Sequence, residues 1–335
     1  MSSTVPSCES EANSLSITFQ SENGMPLAGT LVLPSMASKK PVPALLLIQG
    51  SGPTDRNGNQ EPELKPDLLK QVAEILAEAG IASLRYDKRG MHANSPSFPK
   101  DADDLPLFCR WESFVNDATF AFKFLASRPK IDSDSVGIFG HSEGGSIALD
   151  VSQNQKFDAP APKLLILAAT AGRSLGDIIS EQICAILSHQ KAEPQAREFF
   201  LKENRRIQKA ILATGKVPSD VPSGLRIFYP DYIGPFLKSA LALDTPTLAS
   251  SFSGPILVIN GMADTQVSAE RDAGLFAKIL SNRSDGSEVY LPTDVSHNLK
   301  HINGNPQGFD GDLDGRVKDK VLSWLKDILQ PLISR

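Results

Sequence analysis

The chain has 335 residues, 41% hydrophobic and 22% charged, with a formal net charge of -5 at neutral pH. That length suits one large α/β core carrying an insertion, and the composition excludes the disordered and fibrous classes. The acidic balance argues against a nucleic-acid surface, which gathers basic charge on one face.

From Met1 to Asn13 there is no basic segment followed by an apolar one, and no stretch of the chain approaches about eighteen continuous apolar residues. The expectation is a chain with no membrane span, not exported, and cytoplasmic. Cys8, Cys109 and Cys184 show neither CxxC nor metal-type spacing and read as free thiols. Leu15 to Gln20 and Ala28 to Pro34 alternate as two antiparallel strands joined around Asn23-Gly24. Ala44 to Ile48 is a continuous apolar run of strand length, suited to burial on both faces, and it stops at Gly50-Ser51-Gly52-Pro53. Leu68, Leu69, Val72, Ile75 and Leu76 share one helical face closed by Gly80, and Ile81 to Tyr86 follows as a buried strand.

Trp111, Phe114, Val115, Ala118, Phe122 and Leu125 mark a second amphipathic helix, leading to a strand at Val136 to Phe139. That strand runs into Gly140-His141-Ser142-Glu143-Gly144-Gly145, a helix follows through Val151, and Leu164 to Ala168 is the next strand. Between about 171 and 254 the rhythm breaks into a helix at Leu175 to Leu187, a charged helix around Glu198 to Lys209, and a proline-broken stretch with Phe228, Tyr229, Tyr232 and Phe236. The rhythm resumes with a strand at Ile256 to Asn260, a helix from Ser268 to Leu280, a strand at Glu288 to Leu291, and a final helix through Val317, Val321, Trp324, Leu325 and Ile328. The expected architecture is α/β: a mostly parallel central sheet flanked by helices. Residues 1–170 and 255–335 form its core, with a helical cap inserted at 171–254.

Gly140, Ser142 and Gly144 form a Gly-x-Ser-x-Gly nucleophile elbow with His141 between them. Alone the pattern is weak; its position between a strand and a helix is the context that gives it meaning. A strand that reverses into a helix within a few residues forces its serine into a strained conformation and needs small flanking residues. The new helix N-terminus then aims N–H groups at an oxyanion.

A hydroxyl nucleophile needs an imidazole, and the chain offers His92, His141, His189, His297 and His301. With an elbow of this kind the order along the chain is Ser, acid, His. His297, after the last strand and before the final helix, fits that order, with His301 as competitor and a surface histidine as the plain reading of the others. Asp264 follows the strand at Ile256 to Asn260 and is the expected acid; Asp294, nearer His297 in sequence, reads as a turn residue. For the oxyanion, the expected donors are the N–H groups of Glu143 and of Ser51, with Gly52 the less favoured choice on that loop.

Gln49-Gly50-Ser51-Gly52-Pro53 with Asp55-Arg56, Arg85-Tyr86-Asp87-Lys88-Arg89-Gly90, Gly-His-Ser-Glu-Gly-Gly, and Asp264 with Ser296-His297-Asn298 occur together and in order. In this set the chain resembles the serine aminopeptidase-like and EstD-type esterase branch of the α/β hydrolases, over roughly residues 40 to 330. The resemblance implies the α/β-hydrolase fold and hydrolysis of carboxylic esters with short acyl chains. Within Arg85 to Gly90, Asp87 and Arg89 could pair beside the site, although a structural strand end is the simpler reading. The expected partner is a small-molecule ester, with no metal, no organic cofactor and no nucleic acid, and a homo-oligomer is compatible with the sequence. Two other readings stand. A peptidase or amidase would use the same triad but needs an acidic pocket for an amino group, for which Glu181 or Glu198 would have to lie near the serine; a catalytically silent binding module would keep only the fold.

Overall fold

The computed structural model describes residues 13–153, 158, 160–305 and 308–333, with side chains to residue 329. The expectations for Cys8 and for the segment before Asn13 lie outside those residues.

A sheet of eight strands runs in the order β1-β2-β4-β3-β5-β6-β7-β8. β1 (Asn13–Gln20) and β2 (Pro26–Leu33) pair antiparallel, and β2 pairs antiparallel with β4 (Ala82–Tyr86). Asn23 and Gly24, at φ 59° and 74°, make the turn between the first two. β3 (Val42–Ile48), β4, β5 (Ile131–His141), β6 (Leu165–Ala168), β7 (Ile256–Ile259) and β8 (Glu288–Tyr290) are mutually parallel.

β3, β6 and β7 are apolar throughout because both faces are covered. Leu46, Ile48, Ile138, Leu165 and Val258 face one apolar layer with α3 (Trp111–Ala126), α4 (Glu143–Gln153) and α9 (Gly274–Leu280). Their chain neighbours Leu45, Leu47, Phe139, Ile166 and Leu257 face the other, with α1 (Leu68–Glu78) and α10 (Gly315–Ile333). That alternation is the period-two geometry of a strand. The one-turn helix α2 (Leu105–Phe108), too short to carry a periodic pattern, precedes α3.

Between β6 and β7 the chain forms α5 (Leu175–His189), α6 (Pro194–Thr214), α7 (Gly234–Ala242) and α8 (Thr245–Ser251). These helices have an apolar cluster of their own, with Ile179, Ile183, Ile207, Ile211 and Leu237 around Tyr229, which is fully buried. Its hydroxyl donates to Asn204 Oδ1 at 2.5 Å and accepts from Gln208 Nε2 at 3.2 Å. The proline-broken aromatic stretch thus supplies the centre of this layer. Ala249 and Phe252, in and just after α8, join the main core instead. Before α9 the expected helix begins as a wider π-type turn at Ala269–Ala273, which carries the buried Asp272 inward.

Register decides where the loops meet. Ile48 pairs with Gly140, His141 with Ala168, Ala168 with Ile259, and Ile259 with Tyr290. Parallel strands in this alignment deliver the loops after β3, β5, β6, β7 and β8 to one edge, the usual ligand-binding end of such sheets.

Candidate active site

At the end of β5, Ser142 has φ 54°, a left-handed conformation that costs a non-glycine residue about 1–3 kcal/mol. Its N–H donates to Ala168 O at 2.8 Å, and α4 starts at the next residue. The flanking glycines are demanded by close approach. A Cβ on Gly140 would lie 2.3 Å from the Gly144 carbonyl oxygen, and one on Gly144 would lie 2.3 Å from that of Ile48. The turn between β5 and α4 is thus tight at both glycines and strained at Ser142.

The loop after β3 sits against it, since a Cβ on Gly50 would lie 3.3 Å from Ser142 Cβ. Ser51 and Glu143 line the same cavity as Ser142. Among the described residues neither the Ser51 nor the Glu143 N–H donates to another protein group. Gly52, the less favoured donor, turns at φ 74° and is absent from that lining.

His297 comes from the loop after β8. Its Nδ1–H donates to Asp264 Oδ2 at 2.8 Å, which leaves Nε2 with its lone pair outward. The Asp264 side chain has no exposed surface; Oδ1 accepts from the N–H groups of Gln266 at 2.8 Å and Val267 at 2.9 Å, and Oδ2 also accepts from Asn260 Nδ2 at 3.3 Å. Three donors thus orient the carboxylate that orients the ring. Asp294 is exposed at φ 55°, in a turn. His301 is exposed and its Nδ1 accepts from Asn303 N, while His189 is exposed at the end of α5.

Among the described residues no hydrogen bond joins Ser142 Oγ to His297. Nucleophile and base contacts are commonly long before substrate enters. The link between their loops is His141, whose Nε2–H donates to the His297 carbonyl at 2.9 Å. His141 is buried, not a surface residue as its plain sequence reading has it; burial, and then neighbouring His297, push its pKa down to about 3. A single sequence shows no sign of this, because the partner is a backbone carbonyl from the far end of the chain. His92 supports the loop after β3 by donating Nε2–H to Pro53 O at 2.7 Å.

Of the two readings of the segment after β4, the contacts exclude the less favoured one. Asp87 and Arg89 do not pair with each other. Asp87 accepts from Arg56 Nη2 at 2.5 Å and Arg56 N at 2.9 Å, whereas Arg89 makes a two-pronged contact with buried Asp117 on α3, at 2.7 Å on each prong. The strand ends at Tyr86, and beyond it each side chain meets a partner on a different element, Asp87 one on the loop after β3 and Arg89 one on α3. Between them Lys88, quoted in the sequence motif without a role, reaches Gly50 O at 2.6 Å.

The cavity at Ser142 holds about 190 Å³, with Trp111, Leu175, Ile178, Leu243 and Val267 as its apolar walls. Its charged lining is paired: Glu143 with Lys88 at 3.3 Å, and Arg173 with Asp272 at 2.8 Å and Glu181 at 2.7 Å. Glu181 is held by Arg173 and Arg271, and Glu198 lies exposed on α6 away from the lining. Among the described residues no group of three or more His, Cys, Asp or Glu side chains is disposed to hold a metal ion, and no helix is long and apolar enough to cross a membrane.

No protein-family model matches the chain. It is similar to Esterase EstD of Thermotoga maritima, 26% identical over 310 residues, which is 90% of this chain and 66% of that protein. The chain thus spans just under two thirds of the length of that relative. Among solved structures it is similar to an esterase of Pyrococcus furiosus, at TM-score 0.56 and 16% identity over 96% of this chain and 92% of the other. It is also similar to a puromycin-hydrolysing peptidase of Mycobacterium tuberculosis, at TM-score 0.60 and 14% identity over 98% of this chain and 41% of the other. At such identities the structural likenesses bear on fold alone. The chain has the α/β-hydrolase fold and is a homologue of Esterase EstD over most of its own length.

Proposed function

We propose that the protein is a serine carboxylesterase that cleaves esters of small, uncharged acyl groups, with Ser142 as nucleophile, His297 as general base and Asp264 as the acid that orients it. The observation that carries the reading is the buried Asp264–His297 pair at 2.8 Å, delivered to the same sheet edge as a serine held at φ 54°. Ser142 attacks the ester carbonyl while His297 Nε2 takes its proton, and the Ser51 and Glu143 N–H groups stabilise the tetrahedral oxyanion. His297 then gives that proton to the leaving alcohol. Water, activated by the same imidazole, releases the acid and restores Ser142.

A cavity of about 190 Å³ with apolar walls and internally paired charges supports a short neutral acyl group. The paired state of Glu143 and Glu181 disfavours a free amino group as the recognised feature. Similarity to Esterase EstD supports the same chemistry. Residues 171–254 serve, in this reading, as the cap that closes the acyl site through Leu175, Ile178 and Leu243.

The test is a comparison of kcat/KM for p-nitrophenyl acetate, butyrate and decanoate with that for aminoacyl p-nitroanilides. Turnover of the two short esters, well above both decanoate and the anilides, is expected. Faster anilide than ester turnover contradicts the reading.

A further inference from the structure

From the contacts of Lys88, and resting on the esterase reading, we infer that this residue is a positioning residue that holds the two halves of the oxyanion hole in register. Its ammonium is buried and has three donors, and each has an acceptor: Gly50 O at 2.6 Å, Gly52 O at 3.1 Å and Glu143 Oε1 at 3.3 Å. One end of that set is the loop after β3, and the other is the first residue of α4.

The bond to Gly50 O does more than tether the loop. Gly50 C=O and Ser51 N–H belong to one planar trans peptide, so they point in opposite directions. Drawing the carbonyl toward Lys88 turns the Ser51 N–H toward the cavity that Ser51 shares with Ser142. Gly52 shares its peptide with Pro53, which has no N–H, so that second contact fixes the loop without using up a donor. The contact to Glu143 ties down the residue whose own N–H is the other oxyanion donor. A buried positive charge bonded to the Gly50 carbonyl also polarises that peptide and favours negative charge at the Ser51 N–H.

Lys88 is itself held firmly. On one side Asp87 is locked to Arg56, and on the other Arg89 is locked to Asp117. Asn94 Nδ2 donates to Asp87 O at 2.7 Å, and Gln49 Nε2 donates to Tyr86 O at 2.9 Å, stitching the end of β4 to that of β3. The ion pairs on either side are the rigid mounting; the flexible lysine is the strut between them. Preorganised donors of this kind act on the transition state and leave substrate binding nearly unchanged.

The experiment uses the full chain with Lys88→Met, which keeps the length and loses the charge, and Lys88→Gln, which keeps two donors without charge. Steady-state kinetics on p-nitrophenyl butyrate and affinity for butylboronic acid, a mimic of the tetrahedral intermediate, are read alongside the thermal midpoint. Expected for Lys88→Met are a kcat about 100-fold lower, KM within about twofold, and boronate binding weakened by a similar factor to kcat. Lys88→Gln is expected to lose about tenfold in kcat at unchanged KM, and carries the test if Lys88→Met does not fold. A folded variant with wild-type kcat and boronate affinity, or one in which KM alone rises, overturns the inference while leaving the esterase reading intact. Wild-type protein that neither turns over the ester nor binds the boronate overturns both.

Discussion

The ring of His141 lies 4.9 Å from that of His297, centroid to centroid, and its Nε2–H donates to the His297 backbone carbonyl. The residue next to Ser142 therefore holds the loop that carries His297. With its pKa pushed down from the ordinary histidine value to about 3, His141 is neutral in the folded protein, whereas in the unfolded chain it takes a proton near pH 6.5. Between about pH 3 and 6.5 the unfolded state binds more protons, so stability rises with pH there, by up to about 1.4 kcal/mol per pH unit, and the contribution is fully present above that window. Thermal unfolding from pH 7 to pH 4.5 should show a steeper loss for wild type than for His141→Gln. Equal slopes contradict the assignment.

Asp264→Asn tests the orientation of His297. The remaining amide oxygen can keep the Gln266 and Val267 N–H bonds, which leaves the NH₂ group facing Nδ1. That contact forces Nδ1 to accept and puts the proton on Nε2, where it blocks base action. A loss of kcat of about 10³-fold or more is expected, with KM and the thermal midpoint little changed. A variant within about tenfold of wild-type kcat argues that Asp264 is structural.

The acyl pocket is tested at Ile178, a buried wall residue of the cavity from α5. Trp111 opposite cannot easily yield, because its indole N–H donates to Asp150 at 2.6 Å. Ile178→Phe should lower kcat/KM for butyrate by about tenfold relative to acetate, the scale of one or two methylenes in an apolar pocket. Ile178→Ala should shift preference toward longer chains. An unchanged acetate-to-butyrate ratio in both variants contradicts the assignment of this cavity to the acyl group.

Gly140→Ala should be among the most damaging single-methyl changes in the chain. The new Cβ would lie 2.5 Å from Gly145 Cα as well as 2.3 Å from Gly144 O, all within a turn that cannot open without moving α4. Destabilisation of roughly 3 kcal/mol or more is expected in denaturant unfolding. A midpoint unchanged from wild type would show that the turn has slack.

Much of this architecture can be read from one chain because the physical demands fall on residue type. β3 and β6 beside the site are buried on both faces and so carry continuous apolar runs, Leu45 to Ile48 and Leu165 to Ala168. The elbow needs glycines where backbone meets backbone, and Gly140 and Gly144 satisfy that need. Asp264 and His297 follow from chain order and from strand ends. What stayed hidden depends on pairing through space. Nothing local distinguishes an Asp87 that pairs with Arg89 from one that pairs with Arg56, or tells that Arg173 at the start of the insertion is matched to Asp272 near α9. Lys88 and His141 are illegible for the same reason: their acceptors are backbone carbonyls of remote loops, and any residue type could supply those.

The central claim is that Ser142 becomes acylated. Wild-type protein, Ser142→Ala and His297→Gln would each be mixed with a fluorophosphonate and with p-nitrophenyl butyrate, quenched, and examined by intact mass and peptide mapping. One phosphonyl adduct, on the peptide containing Ser142, is expected in wild type; a transient butyryl adduct at the same serine; none in Ser142→Ala; and slow labelling in His297→Gln. Adducts on another residue, or wild-type rates of labelling and turnover in folded Ser142→Ala, would contradict it.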